Sequence, residues 1–332
     1  MADPDRPTHE PPALLGSDPA FLTVLEQVSR LAPLDRPALV IGERGTGKEL
    51  IAERLHYLSR RWDGPFVKVN CAALSENLLE TELFGHEAGA FTGARLRHRG
   101  RFERADGGTL FLDEIAAASA RVQEQVLRVI EYGEYERVGG ERVLVADVRV
   151  IAATNVDLPA LAAEGKFRAD LLDRLAFDVV TLPPLRARRG DIIDLANAFA
   201  LAMTKALGLP LFPGFAAEAE TALLRHAWPG NVRELRNTVE RAVYRHLPSQ
   251  EPIAEMALDP FASPWRPDAA AIAVAPLEAP LPRDFTTAVA ELERDLVGRA
   301  LKQCDGNQGA AAQRLGLGYH QFRRLLRKYP VG

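Results

Sequence analysis

The stretch ALVIGERGTGKELIAERLHYLS, residues 38–59, leaves little freedom in how the chain around it can fold. An apolar, β-branched run meets a loop with glycines at 42, 45 and 47, and an amphipathic helix follows at once. Glycines at these positions let the loop wrap, so that backbone N–H groups face an anion at the helix N-terminus, where the helix dipole also favours negative charge. The loop Gly42, Glu43, Arg44, Gly45, Thr46, Gly47 then presents Lys48 to the β- and γ-phosphates of a nucleotide. One position departs from the general pattern. Glu49 stands where Ser or Thr normally offers a hydroxyl to magnesium, so either the match is fortuitous or other groups hold the ion.

The rest of the chain from Leu14 to about Pro183 alternates short apolar runs with helical periodicity, the pattern of an α/β domain with a parallel sheet. Strands are expected at 38–41, 66–69, 109–112, 148–153 and 177–182. The run GGTLFLDEI ends in two carboxylates. Asp113 suits a magnesium ion, directly or through water, and Glu114 suits a base that orients and deprotonates attacking water. VRVIAATN ends in Thr154 and Asn155, placed to sense a γ-phosphate. Asn70, closing FVKVN, reads equally as a partner that restrains Glu114 and as a strand-end cap. Arg168 and Arg174 read as arginine fingers lent to a neighbouring subunit, or as members of a salt-bridged surface helix beside Asp170 and Asp173. Arg233 projects from the first turn of a helix opened by WPGN, within reach of phosphate from a lid.

Composition narrows the remaining classes. A chain of 332 residues, 47% hydrophobic and 26% charged, with net charge −4, is an ordinary globular protein with room for a second small domain. Cys71 and Cys304 are the only cysteines and have no metal-ligand spacing; with no signal peptide or membrane-length apolar run, a cytoplasmic protein is expected. Residues 1–13 read as a disordered tail, 14–183 as the α/β part, and 184–247 as a helical lid. Eight prolines in 248–282 mark a tether over 248–284, and 285–332 form a final helical unit. That unit reads as a helix-turn-helix with five Lys or Arg and no acidic residue after Gly306. Phe322, Leu325 and Leu326 should face its core. Tyr319, His320, Gln321, Arg323 and Arg324 should lie at or near a DNA groove, with Arg327 and Lys328 on phosphates.

Between the phosphate loop and the carboxylate strand lies GHEAGAFTGA, an aromatic and a hydroxyl residue flanked by glycines at 85, 89 and 93. An exposed Phe on a mobile loop gains nothing for folding, so a partner is its natural reason. GAFTGA at 89–94, GERGTGKE with its Glu49, and the Asp113–Glu114 pair resemble the AAA+ domain of bacterial enhancer-binding proteins, the activators of sigma-54 RNA polymerase, over roughly residues 14–250. The resemblance implies ATP and Mg2+ as cofactors, with Lys48 on phosphate, Asp113 and Glu114 as the magnesium and water site, and Asn70 as the switch partner of Glu114. It further implies Thr154 and Asn155 as first sensor, Arg168 and Arg174 as trans-acting fingers, and Arg233 as second sensor. Gly89, Ala90, Phe91, Thr92, Gly93 and Ala94 would form the moving tip that grips sigma-54 holoenzyme, with a second loop within 131–143 supporting it.

The C-terminal unit resembles the Fis-type domains that bind upstream enhancer DNA as dimers. Within the family the chain is most similar to phage-shock activators, which begin directly with the ATPase domain. Only about thirteen residues precede that domain, so no cis-acting sensor is expected. The resemblance then implies a hexameric ring, dimeric when inactive, that is controlled in trans by an inhibitory phage-shock protein A-type regulator. Trp62, flanked by Arg60, Arg61 and Asp63, is either an anchor for that partner or packed on its own domain. Two other functions remain open: another AAA+ remodeller, and a DNA-binding regulator whose nucleotide gates assembly without turnover.

Overall fold

The computed structural model describes residues 14–332 apart from 248, 250, 264, 265, 267–283, 305 and 330–332. The tail expected over 1–13 and most of the proline-rich tether lie outside the described residues. The chain divides into two units, one ending at Pro260 and one beginning at Phe261.

Nine strands are described in the first unit: β1 (Ala38–Ile41), β2 (Phe66–Asn70), β3 (Gly85–His86), β4 (His98–Arg99), β5 (Thr109–Asp113), β6 (Glu134–Glu136), β7 (Val143–Val145), β8 (Arg149–Thr154) and β9 (Val179–Thr181). Five of them form a parallel sheet in the order β2-β5-β8-β1-β9, and all five match expected strands. The pairs β3–β4 and β6–β7 are small antiparallel hairpins that stand apart from the sheet.

Both faces of the sheet are covered, which is why its strands read as unbroken apolar runs rather than alternating ones. On one face α1 (Pro19–Leu31) and α2 (Lys48–Tyr57) bury Phe21, Val28, Ile51 and Leu55 against Val40, Phe111, Ile151 and Val180. Local chemistry starts α1, where Asp18 accepts the Ala20 amide at 3.0 Å and Pro19 occupies the first turn. The other face carries α3 (Glu76–Phe84), α4 (Arg101–Arg104), α5 (Ala120–Tyr132), α6 (Leu158–Ala163) and α7 (Ala169–Leu175). Ser119 caps the start of α5, and Gly133, with φ of 70°, ends it in the left-handed conformation.

The lid follows as α8 (Asp191–Ala206), α9 (Ala217–Arg225) and α10 (Asn231–His246), closed around the buried Trp228, Leu195, Leu223 and Val239. It runs further than the sequence suggested. Ile253 is buried and pairs with Phe215, and Met256 and Leu258 pack on the same core. Apolar residues among the prolines are satisfied by the lid rather than left in a tether, so the expected boundary at 247 falls too early.

In the second unit the helix Phe285–Gln303 is followed by Gln308–Arg314 and Tyr319–Lys328. Phe322, Val297, Ala300, Ala311 and Ala312 form its core, with Leu325 and Leu326 packed against it as expected. On the first of these helices Phe285, Val289, Leu292 and Leu296 are exposed. Their spacing of four, three and four places them along one apolar stripe.

His56 is buried between α2 and β5, with Nδ1 2.9 Å from the Thr109 hydroxyl and its ring stacked on Phe66. Burial, with Arg149 adding repulsion, pushes its pKa down to about 4. The folded state therefore resists a proton that the unfolded chain takes up near pH 6.5. Stability is complete above that pH and falls as the pH drops through 4, by on the order of 3 kcal/mol. A His56→Gln protein should lose less stability between pH 7 and 4 than the wild type, measured by urea unfolding across that range.

Candidate nucleotide site and its flanking loops

Strands β5, β8 and β1 lie side by side, so their carboxyl ends gather the chemistry at one edge of the sheet. Ile41 pairs in register with Thr154, and Asn70 with Asp113. The phosphate loop leaves β1 and enters α2 through Gly47, whose φ of 101° strongly favours glycine. Gly45, at φ 77°, lies so close to the Gly230 carbonyl that any side chain there would collide with it.

Lys48 is only 8% exposed. Its ammonium donates to the Gly42 carbonyl at 3.0 Å and the Glu43 carbonyl at 3.4 Å, and stands 3.8 Å from Glu114 Oε1. Burial pushes its pKa below the usual lysine range; the Glu114 and Asp113 carboxylates oppose this, while Arg233 and Arg44 reinforce it. Three cations thus converge on one loop, a field suited to a polyphosphate. The Arg233 amide donates to the Gly45 carbonyl at 3.3 Å, so the lid helix meets the loop directly.

Asp113 is pushed up by burial and by the adjacent Glu114, against the pull of Lys48. Glu114 has φ of 51°, a left-handed backbone that costs a non-glycine residue strain and is concentrated at functional sites. Asn155 donates to Glu114 Oε2 at 2.7 Å and accepts from Arg44 Nε at 3.2 Å, in the amide orientation that satisfies both groups. Of the two readings left open for Asn70, the structure shows the strand-end cap and no bond to Glu114. The Asn70 side-chain amide donates to Asp113 Oδ2 at 3.2 Å, and its carbonyl oxygen accepts from the Ala72 amide at 2.9 Å. The register explains the difference: Asn70 and Asp113 are side-by-side partners, and the backbone turns at Glu114. Buried Thr154 accepts the Val156 amide at 3.2 Å. Glu49 pairs with Lys68 at 2.8 Å.

Among the described residues no group of three His, Cys, Asp or Glu could hold a metal by itself. Mg2+ on a nucleotide needs no such cage, because one or two carboxylates, phosphates and waters suffice. Asp113, desolvated beside Glu114, fits that role.

Arg168 and Arg174 are not brought to this chain's own phosphate loop. Arg168 pairs with Asp170 at 2.8 Å and Glu124 at 3.6 Å, and Arg174 with Glu131 at 2.6 Å.

Several site residues escaped the sequence reading. Arg186 grips Glu43 at 2.5 and 2.8 Å, and Asn231 donates to the same carboxylate at 3.0 Å, which holds its pKa down at about 2. An apolar pocket adjoins Thr46 and Gly47, lined by Leu14, Leu15, Phe21, Arg188, Phe199 and Val232 among others. The only sequence signal was the density of arginines in LRARRG, 185–190.

The GAFTGA segment caps the β3–β4 hairpin. The Gly89 amide donates to the Ala94 carbonyl at 2.7 Å, and the Ala94 amide to the Phe91 carbonyl at 3.0 Å. Phe91 is 48% exposed and rests edge-on against His86, with ring centres 4.9 Å apart. Leu96, not singled out from sequence, is 80% exposed on the same hairpin. The second loop does lie against this hairpin: the Glu87 amide donates to the Val138 carbonyl at 3.1 Å and the Val138 amide to the Gly85 carbonyl at 3.0 Å, and a side chain at Gly139 would strike Ala90. Arg137, almost fully buried, bridges Glu87 at 2.8 Å and Glu103 at 2.6 Å.

Trp62 is 63% exposed. On the last helix Tyr319, His320, Gln321, Arg323, Arg324, Arg327 and Lys328 are all exposed. Two of them are already engaged. Gln321 accepts the Gly318 amide at 3.1 Å, a cap signalled by the Gly-x-x-Gln spacing, and Lys328 pairs with Glu293 at 3.3 Å. No helix among the described residues is long and apolar enough to cross a membrane.

This arrangement agrees with comparison to known proteins. Residues 14–181 match the Sigma-54 interaction domain, 186–269 the AAA+ ATPase lid domain, and 288–329 the bacterial regulatory protein, Fis family. The Psp operon transcriptional activator of Escherichia coli (strain K12) is 60% identical over 96% of this chain and 98% of its own length. The transcriptional regulatory protein FlbD of Caulobacter vibrioides is 44% identical over 94% of this chain and 69% of its own. The crystal structure of NtrX from Brucella abortus in complex with ATP superposes with a TM-score of 0.70 at 31% identity, covering 96% of this chain and 70% of that one. On these grounds the chain belongs to the AAA+ activators of sigma-54 RNA polymerase, as a transcription activator with a nucleotide-binding ATPase domain and a Fis-type DNA-binding unit.

Proposed function

We propose that this chain hydrolyses ATP and spends the cycle on moving the GAFTGA tip against sigma-54, opening promoters to which the C-terminal unit has tethered it. One observation carries the proposal: an unbroken structural path joins Glu114 to the tip. From Glu114 the chain turns into α5, and α5 ends at Gly133, directly before β6 and Arg137. Arg137 grips Glu87 at the base of the tip and Glu103 beyond it. A shift of Glu114 therefore has a rigid helix through which to act.

Lys48, Arg44 and Arg233 bind the phosphates, and Glu114, freed from Asn155, takes the proton of attacking water. A Mg2+ ion held by Asp113 and phosphate oxygens would neutralise charge on the transferring group. Arg168 and Arg174, held only by surface carboxylates, are available to a neighbouring protomer's nucleotide in a hexameric ring, the inactive form being a dimer. The α/β part spans 14–183 and the lid 184 to about 258. The DNA-binding unit spans 285–332, with Tyr319, His320, Arg323 and Arg324 toward enhancer bases and Arg327 toward phosphate. The regulated genes are those of a phage-shock, envelope-stress operon, a reading supported by the similarity to a Psp operon transcriptional activator.

Glu114→Gln should keep ATP binding but lower turnover about a hundredfold or more. Phe91→Ala or Thr92→Ala should leave ATPase activity within about twofold while abolishing promoter opening with sigma-54 holoenzyme, because the tip is remote from the phosphates. A Glu114→Gln protein that still opened promoters would favour nucleotide-gated assembly instead.

The apolar stripe Phe285, Val289, Leu292 and Leu296 pairs two copies of the DNA-binding unit on paired half-sites. Leu292→Asp should weaken enhancer binding by about tenfold or more through lost bivalency, leaving the ATPase intact, as read by gel shift and analytical ultracentrifugation.

Trp62, standing free of its own core, anchors a phage-shock protein A-type inhibitor. Trp62→Ala should abolish inhibition of ATPase activity by that regulator. Unchanged inhibition would remove Trp62 from the interface.

A further inference from the structure

His86 ends β3 just before the tip and is no part of the GAFTGA segment itself. Phe91 nevertheless rests on it, edge-on with ring centres 4.9 Å apart, and among the described residues Phe91 meets no other ring. Little else confines that side chain. Phe91 is half exposed, and the glycines at 89 and 93 have nothing within 4 Å of where a side chain would begin.

The histidine is itself held on several sides. In the hairpin register it faces His98 of β4, and the two rings stack 5.6 Å apart at an angle of 24°. His98 Nε2 in turn stands 3.6 Å from Glu82 Oε1 on α3. His86 Nδ1 donates to the Glu87 carbonyl at 3.2 Å, which sets the tautomer and the plane of the ring. Through its backbone His86 bridges to Val138, the residue after Arg137. The ring under Phe91 is therefore fixed, while Phe91 itself is hinged on glycine. A single edge-on pair is strong enough to bias such a side chain and weak enough to release it, shifting a population by about twofold to tenfold.

We propose that His86 is a positioning residue: it seats Phe91 when the tip is withdrawn, His98 braces the seat, and only tips that have left it grip sigma-54. The inference rests on the moving-tip reading above and deepens it. His86 contacts neither the nucleotide nor sigma-54; it sets how large a fraction of tips stands free in the diphosphate state. Val138 follows Arg137 and pairs with His86, so a shift at the end of α5 reaches the seat as well as the base of the tip.

The test measures the affinity of the full chain for labelled sigma-54 with ADP and with ADP–aluminium fluoride, a mimic of the transition state. His86→Ala removes the seat, His86→Phe keeps a ring there, and His98→Ala removes the brace. His86→Ala should tighten binding with ADP about threefold or more and leave binding with ADP–aluminium fluoride within about twofold, so the ratio between the two states shrinks. His98→Ala should shrink the ratio by less, and His86→Phe should keep it within about twofold of wild type. A para-fluorophenylalanine at position 91 reports on the seat directly. With ADP, its fluorine resonance in His86→Ala should stand where that of the wild type stands with ADP–aluminium fluoride. ATPase rates within about twofold of wild type show that each variant is folded, and His98→Ala carries the test should His86→Ala fail that check. An unchanged ratio would overturn the proposal. So would equal loss of affinity in both states, which makes His86 a sigma-54 contact or a structural prop, and so would a His86→Phe protein that behaved as His86→Ala does. A Phe91→Ala protein that gripped sigma-54 as the wild type does would instead sink the moving-tip reading itself.

Discussion

A single desolvated ammonium dictates much of the arrangement at the sheet edge. Lys48 is held by two loop carbonyls and stands near one carboxylate, and a buried cation survives only when such groups are in place. The carbonyls of Gly42 and Glu43 can turn inward only if the loop closes on itself, which needs the positive φ angles of Gly45 and Gly47. Glu114 can approach only if β5 ends beside β1 with β8 between them. Hence the strand order, the glycines and the carboxylate strand are not independent features. They are the conditions under which one charge can be buried.

The same loop carries a second constraint facing the lid. Glu43 is fixed by Arg186 and Asn231, residues more than 140 positions away, and Asn231 must adopt φ of 52° to serve both Glu43 and the Leu185 amide. A left-handed asparagine is strained, and here three hydrogen bonds offset the cost: it accepts the Leu185 amide and donates to Glu43 and to the Arg44 carbonyl. The lid is therefore fastened to the phosphate loop by polar groups rather than by apolar burial. Such a joint can be rearranged by a competing anion without exposing a core.

What the sequence made legible follows from this division. Lys48 opens α2 and Asp113, Glu114, Thr154 and Asn155 sit at strand ends, all inside contiguous motifs, so local pattern located them. The five strands were readable because burial on both faces leaves unbroken apolar runs. Arg186, Arg188 and Asn231 meet their partners only through the fold of the lid, and no local spacing encodes that. Sequence left Asn70 between a Glu114 partner and a strand-end cap; parallel register, which sequence proximity does not reveal, sets it beside Asp113. Ile253 was hidden by composition: prolines dominate its neighbourhood, yet one apolar side chain suffices to anchor the segment to the lid core.

The connection to the tip uses charge where an apolar contact would have been simpler. Arg137 spans Glu87 and Glu103 while almost fully buried, so its charge is desolvated and depends on both carboxylates. A greasy contact in its place would slide, giving a graded response to a small shift in α5. A buried cation held by two carboxylates instead tolerates few geometries. The glycines at 89, 93 and 139 leave the tip room, since Gly139 clears Ala90 and nothing stands within 4 Å of a side chain at 89 or 93. Stiffness below and freedom at the tip are opposite requirements, and the fold meets them by placing the charges of Glu87, Glu103 and Arg137 at the base and the glycines at the end.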